Sequence, residues 1–257
     1  MNRRDAILGA GAAAVARSVK AEPHAGFPIL ELRQYTLHGG KRDVLVGLFE
    51  SYFIEPQDAL EGHILGMFRD LDDPDRFVWL RAFKDMDARG RMEPQFYRHD
   101  PAWLAHKADA NATMLDSDNV LLLQAVGEGM GKQSPRRPRP GVLRVDIRQL
   151  RDVEPAAFTG FFDAEVAPRV AANEGRILAR YVSETEPNNF PPLPVREHEP
   201  VFVWLARFDD AAAEARFDRA MASLSGWRDK APDAILPALM RKPEVLRLSP
   251  TSRSPFY

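Results

Sequence analysis

Charged side chains alternate with apolar ones along one short segment, and the pattern returns later in the chain. In Glu31-Leu32-Arg33-Gln34-Tyr35 the charged or hydroxyl-bearing residues fall at every second position. The same spacing recurs with Arg144, Asp146 and Arg148, at an offset of 113 in residue number. Residues two apart on a strand share a face. Each segment would therefore gather guanidinium and carboxylate groups that can bind a polar ligand.

The signs of the charges are exchanged between the two segments. Glu31 corresponds to Arg144, and Arg33 corresponds to Asp146. Two facing copies could therefore pair opposite charges, since an unpaired buried charge is costly. Two interpretations stay open: structural ion pairs or a solvated face, and a ligand site lined by these charges. The candidate ligand-binding residues are Glu31, Arg33, Tyr35, His63, Arg81, Asp146 and Arg148.

The flanking sequence repeats as well, which indicates that the chain is an internal duplication. Phe77-Val78-Trp79-Leu80 returns as Phe202-Val203-Trp204-Leu205, at an offset of 125. The offset is 113 before this point and 125 after it, and the difference of 12 predicts an insertion in the proline-rich stretch 185–194. Hydrophobic periodicity in each copy predicts the order β-α-β-β-α-β of a ferredoxin-like unit.

The predicted fold class is α+β, with two tandem ferredoxin-like units that form an intramolecular dimeric α/β-barrel. The units span residues 29–125 and 142–250, joined by a Gly/Pro/Arg linker at 126–141 and followed by a tail at 251–257. We expect Leu30, Leu32 and Gln34 to face the helices. The charged set of the same strand should then face the barrel interior, with Trp79 and Trp204 helping to close it.

The first 21 residues have the features of an export signal. Arg3-Arg4 precedes a weakly apolar run from Ala6 to Ala16, and Arg17 and Lys20 follow it. This arrangement resembles a bacterial twin-arginine signal. It predicts cleavage after residue 21, export to the periplasm, and no stable insertion in the membrane, because the apolar run is too short to span it.

Composition excludes several classes of site. The chain of 257 residues contains no cysteine, which excludes disulfides and thiolate chemistry. Its net charge of −2 becomes more negative without the predicted signal, and this argues against nucleic-acid binding. The six histidines lack metal-site spacing, so we predict no metal and no cofactor, with haem kept as an alternative. His63 is expected at the barrel mouth.

Three motifs of the first copy resemble the NIPSNAP family. They are Glu31-Leu32-Arg33-Gln34-Tyr35-Thr36 followed by Gly40-Lys41, the strand Val78–Asp85, and the helix start Asp100-Pro101-Ala102-Trp103. The resemblance covers Ile29 to Gln124. It implies a ferredoxin-like unit in a dimeric α/β-barrel, built here within one chain, but it implies no activity.

The resemblance leaves three functional hypotheses. One is an exported NIPSNAP-like protein that binds a small molecule or a partner at the barrel between the repeats. Another is a barrel oxidoreductase, cofactor-free or haem-assisted, which uses Arg33, Tyr35, His63 and Arg81, because the wider superfamily includes monooxygenases, haem enzymes and isomerases. The last is an interaction protein with a filled barrel. The chain is expected to be a monomer with a pseudo-dimeric core, or a homodimer.

Overall fold

The computed structural model describes residues 26–132, 141–223 and 231–256 of the chain. Within these ranges the strands are β1 Ile29–Leu37, β2 His63–Asp70, β3 Arg76–Phe83, β4 Met114–Asp116, β5 Val120–Ala125, β6 Val142–Gln149, β7 Arg176–Ser183, β8 Val201–Phe208 and β9 Glu244–Pro250. The helices are α1 Arg42–Leu48, α2 Ile54–Ala59, α3 Met86–Pro94, α4 Pro101–Asn111, α5 Pro155–Phe161, α6 Ala167–Ala172, α7 Ala211–Ser223 and α8 Leu236–Met240.

Eight of the strands close into an antiparallel barrel. Hydrogen bonds link them in the order β3-β2-β9-β6-β8-β7-β5-β1, and β1 pairs with β3 to complete the circle. The two repeats meet through the pairs β2–β9 and β5–β7. Short β4 extends the sheet beside β1. The predicted fold class, two ferredoxin-like units forming an intramolecular α/β-barrel, is confirmed.

Irregular features recur at equivalent positions of the two repeats. A β-bulge interrupts β2 after Ile64 and β7 after Ile177, which the offset of 113 makes equivalent. A π-helical turn joins α1 to α2 at Phe49–Phe53 and α5 to α6 at Phe162–Val166, with the same offset. Recurrence of such features in the same places supports the duplication read from the sequence.

The barrel interior is apolar, and this corrects the predicted orientation of β1 and β6. Leu30, Leu32, Leu143 and Val145 are buried in one cluster that draws on both repeats. Glu31 and its charged neighbours therefore face the helices, on the other side of the strand. Helices cover the outer face of these barrel strands, so both faces are buried. Alternation of polar and apolar residues therefore does not tell which face points into the barrel.

The prediction that Trp79 and Trp204 help to close the barrel interior is also wrong. Trp79 packs with the helices of the first repeat and Trp204 with those of the second. Phe49 contacts the Trp79 ring edge-on, with centroids 4.7 Å apart. Neither tryptophan belongs to the apolar cluster that fills the barrel.

Two predicted segments lie partly or wholly outside the described residues. The export signal at 1–21 lies outside them, as does the part of the linker at 133–140. The segment after β9, predicted as a tail, packs on the barrel: Phe256 is buried against Phe68, and Ser254 accepts a hydrogen bond from the Met67 N–H at 2.9 Å. No helix in the described ranges is long and apolar enough to cross a membrane.

Candidate ligand-binding site

Five charged side chains are buried together between the sheet and the helices of the first repeat. All five are 0% exposed: Glu31, Arg33, Arg81, Arg89 and Glu93. Three guanidinium groups and two carboxylates give the cluster a formal excess of one positive charge. Burial of charges is tolerated only where they are paired and hydrogen-bonded, so the contacts among these groups decide what the site can do.

Strand register and one helix bring the cluster together. Glu31 lies directly opposite Arg81 in the β1–β3 pair, and Arg33 lies opposite Trp79. Asp85 caps α3 by accepting a hydrogen bond from the Ala88 N–H at 2.7 Å. The helix that begins there places Arg89 and Glu93 one turn apart on the same face.

Glu31 is the centre of the cluster because all three arginines donate to it. Arg81 Nη2 and Nε lie 2.6 and 2.9 Å from Glu31 Oε2, and Arg33 Nη1 lies 3.1 Å from the same oxygen. Arg89 Nε lies 2.8 Å from Glu31 Oε1. Burial alone would raise the pKa of Glu31, but Arg81, Arg33 and Arg89 outweigh it and hold this pKa well below its usual range.

For Glu93, burial outweighs the neighbouring arginines, which is the reverse of what holds for Glu31. Its Oε1 lies 2.5 Å from Arg81 Nη2 and 3.7 Å from Arg89 Nη2, while its Oε2 has no hydrogen-bond partner among the described residues. Burial, reinforced by the charge of Glu31, raises the pKa of Glu93 to about 7 against the opposing effect of Arg81 and Arg89. Glu31 thus stays ionised at neutral pH, whereas Glu93 titrates there.

An aromatic cavity of about 390 Å³ lies beside the charged cluster. Eight of its lining side chains are aromatic: Tyr35, Phe49, Phe53, Trp79, Phe96, Tyr97, Trp103 and Phe190. Trp79 is 1% exposed, and its Nε1 has no hydrogen-bond partner among the described residues. An unsatisfied buried N–H is uncommon and costs stability.

Two tyrosines connect the cavity to the charged cluster. Arg33 Nε donates to the Tyr35 hydroxyl at 3.0 Å, and Arg81 Nη1 donates to the Tyr97 hydroxyl at 3.4 Å. Each hydroxyl oxygen is then an acceptor from an arginine, and its own proton can be donated to a ligand. Burial raises the pKa of Tyr97, so its hydroxyl keeps that proton at neutral pH.

The insertion of the second repeat covers the site of the first. Arg89 Nη1 donates to Asn189 Oδ1 at 2.6 Å and to Asn188 Oδ1 at 3.0 Å. Asn189 Nδ2 donates to the Met86 carbonyl at 2.6 Å. Phe190 is buried and stacks on Tyr97 with ring centroids 6.2 Å apart. The proline-rich stretch 185–194 thus forms part of the cavity wall.

The predicted site residues fall into separate groups. Glu31, Arg33, Tyr35 and Arg81 come together in the first repeat, outside the barrel interior where they were expected. Asp146 and Arg148 pair with each other in the second repeat, 2.9 Å apart. The predicted charge pairing between facing repeats is therefore wrong: the charged side chains of each strand form their ion pairs within their own repeat.

His63 belongs to neither group. Its ring stacks on Phe27 with centroids 4.5 Å apart, and its Nδ1 lies 3.9 Å from Asp58. Burial lowers the pKa of His63, with Asp58 opposing the shift. No histidine lines the cavity of the first repeat, so the residues present there do not fit a haem held by a histidine ligand.

Sequence reasoning missed Gln57, Arg89, Glu93, Tyr97 and the insertion as parts of the site. Gln57 Oε1 accepts from Arg81 Nη1 at 2.7 Å. One signal for α3 was present: the offset of 125 aligns Arg89 with Glu214, which repeats the exchange of sign seen between Glu31 and Arg144. Correlated sign changes at aligned positions indicate a charge pair.

The fold is shared with proteins of known structure at low sequence identity. No family model matches the chain, and no curated protein matches it either. A protein named as a candidate monooxygenase from Fusobacterium nucleatum superposes with a TM-score of 0.54 at 12% identity, over 88% of this chain and 93% of that one. An anthrone oxidase-like protein gives 0.52 at 15% identity, over 89% and 93%. This chain has their fold.

NIPSNAP proteins are also among the similar structures, at partial coverage. A NIPSNAP family protein of unknown function from Agrobacterium tumefaciens is 21% identical, over 40% of this chain and 95% of that one, with a TM-score of 0.36. A match at that level covers about one repeat. The two superpositions that span both repeats are the ones that show the shared fold.

Proposed function

We propose that the first repeat binds a flat, largely aromatic small molecule that carries an oxygen acceptor at its inner end. The observation that carries this proposal is the aromatic cavity of about 390 Å³, lined in part by Trp79, whose indole N–H has no hydrogen-bond partner among the described residues. Its size and its few polar groups are typical of a small-molecule pocket. The Tyr35 and Tyr97 hydroxyls add two further donors, and the positive excess of the charged cluster favours an acceptor.

The second candidate is an oxidoreductase that acts on a molecule bound in the same cavity. The names of the two proteins that share the whole fold favour this candidate, although a shared fold is a weak warrant for chemistry. The cavity lining includes no Asp, Glu or His that could accept a proton from a substrate. Binding therefore stands ahead of catalysis.

Titration calorimetry with anthraquinone-2-carboxamide, a neutral flat ring with acceptor oxygens, tests the binding proposal. Trp79→Phe keeps an aromatic wall but removes the N–H, and we expect its affinity to fall about fivefold to tenfold. Trp204→Phe changes the equivalent tryptophan of the second repeat and should bind as the wild type does. Equal affinity in both variants, or no binding by the wild type, would overturn the proposal.

Export remains part of the proposed function. Arg3-Arg4, the apolar run Ala6–Ala16 and Arg17 support a twin-arginine-type signal at residues 1–21. Fractionation of bacterial cells that produce the full chain should find a shortened protein in the periplasm. Replacing both Arg3 and Arg4 with Lys should retain the full-length chain in the cytoplasm, and unchanged export of that variant would contradict the assignment.

A further inference from the structure

Two exposed cations border the outer end of the aromatic cavity without an acidic partner. Arg98 and Lys107 both line the cavity and are both exposed. Neither side chain makes an ion pair or a hydrogen bond with any described residue. The Arg98 guanidinium lies over the Phe190 ring, 5.3 Å from its centroid, so the cation is held against the wall of the cavity.

Three acidic residues that neighbour lining residues in the chain accept hydrogen bonds from the backbone or from one hydroxyl. Asp100 accepts from the N–H groups of Ala102 and Trp103 at 2.9 and 3.1 Å. Asp116 accepts from the Asp118 N–H at 2.8 Å, and Asp118 accepts from the Ser117 hydroxyl at 3.5 Å. None of the three carboxylates lines the cavity. Arg98 and Lys107 thus bring two positive charges to the cavity mouth, and neither forms an ion pair with a described carboxylate.

We infer that the ligand is an aromatic acid, whose ring occupies the cavity and whose carboxylate is held by Arg98 and Lys107. The inference rests on the proposed function and adds the chemical class of the ligand. The two ends of the ligand are set by different groups: the ring packs in the aromatic part of the cavity, and the exposed cations bind the anionic end. Arginine is well suited to hold a carboxylate through two parallel hydrogen bonds.

Lysine adds charge without a fixed geometry, so the two cations contribute differently. Exposed ion pairs are weak and are screened by salt. We therefore expect each cation to increase affinity for the carboxylate about threefold to fivefold, with the larger share from Arg98. The preference should shrink as the salt concentration rises.

Calorimetry of the full chain with anthraquinone-2-carboxylate and anthraquinone-2-carboxamide tests the inference. We expect the wild type to bind the carboxylate about tenfold more tightly at low salt. The double variant Arg98→Gln/Lys107→Gln should bind the two probes equally. The single variant Lys107→Gln, which leaves the Arg98–Phe190 contact in place, should lose part of the preference. Lys41→Gln/Lys84→Gln removes two exposed lysines that do not line the cavity and should keep it.

The outcomes separate this inference from the binding proposal. If the wild type binds the carboxamide as tightly as the carboxylate, or if the double variant keeps the preference, the assignment of an acidic ligand is overturned while the cavity remains a binding site. If neither probe binds to the wild type, both proposals are overturned.

Discussion

The two repeats place an ion pair of opposite sign at the same point of the same scaffold. In the first repeat Arg89 of α3 donates to Glu31 of β1 at 2.8 Å. In the second, Arg144 of β6 donates to Glu214 of α7 at 2.5 Å. Both repeats therefore pair this strand with this helix. The arginine lies on the helix in the first repeat and on the strand in the second. What differs is the surroundings: Arg33 and Arg81 of the first repeat correspond to Asp146 and Ala206 of the second.

The space beside the pair also differs between the repeats. The first has a cavity of about 390 Å³ beside its pair, whereas the cavity beside Arg144 and Trp204 in the second is about 40 Å³. Phe158 stands where the first repeat has the smaller Leu45, and Arg148 stands in place of Tyr35. Among the described residues, the two copies therefore share the scaffold, but the large aromatic cavity beside the pair lies in the first.

The largest expected effect comes from removing the shared carboxylate of the first repeat. Glu31→Gln would leave three buried guanidiniums with one remaining carboxylate, and we expect a loss of about 3–5 kcal/mol in the free energy of unfolding. Arg144→Gln at the equivalent position should cost about 1 kcal/mol, because Arg247 still pairs with Glu214 at 2.8 Å. Urea denaturation measures both. Equal losses would contradict the comparison.

A smaller effect is a pH dependence of the free energy of unfolding, which the raised pKa of Glu93 should change by about 2 kcal/mol between pH 5 and 7. Because the pKa of Glu93 is raised to about 7 in the folded protein, the folded state holds more protons than the unfolded state between about pH 4.5 and 7. Stability from this group is therefore complete below the unfolded pKa and is lost as pH rises towards 7. The free energy of unfolding of the wild type should therefore fall relative to that of Glu93→Gln as the pH rises from 5 to 7.

The second repeat supplies the control for that profile. Asp218 aligns with Glu93, but its side chain is 53% exposed. Asp218→Asn should leave the slope between pH 5 and 7 as it is in the wild type. A slope that Asp218→Asn removes and Glu93→Gln preserves would contradict the assignment of the titration to the first repeat.

Much of the fold was predictable from the sequence because duplication is a global signal. The repeat of FVWL with flanks at constant offset predicted the strand order and located the insertion. The facing direction of the strands was not predictable in the same way. Glu31 and Leu32 are both fully buried, so the usual link between polarity and exposure gave no guidance. Arg89 contacts the insertion through hydrogen bonds to Asn188 and Asn189. These are tertiary contacts, which local sequence pattern does not predict.

The smallest effect tests the contact that the second repeat makes with the site of the first. Asn189→Ala would remove hydrogen bonds to Arg89 and to the Met86 carbonyl, with an expected loss of about 1–2 kcal/mol. Thr185→Ala, in the same insertion, changes an exposed side chain and should be nearly neutral. Thermal or urea unfolding compares the two. Similar losses would show that the insertion is not held to the first repeat through Asn189.

We expect the ligand to bind under the helices of the first repeat and not inside the barrel. A crystal structure of the full chain with anthraquinone-2-carboxylate tests it most directly. We expect the ring between Phe49, Trp79 and Tyr97, with the carboxylate towards Arg98. A ring found among the apolar residues of the barrel, such as Leu32 and Val145, or beside Trp204 in the second repeat, would contradict the claim.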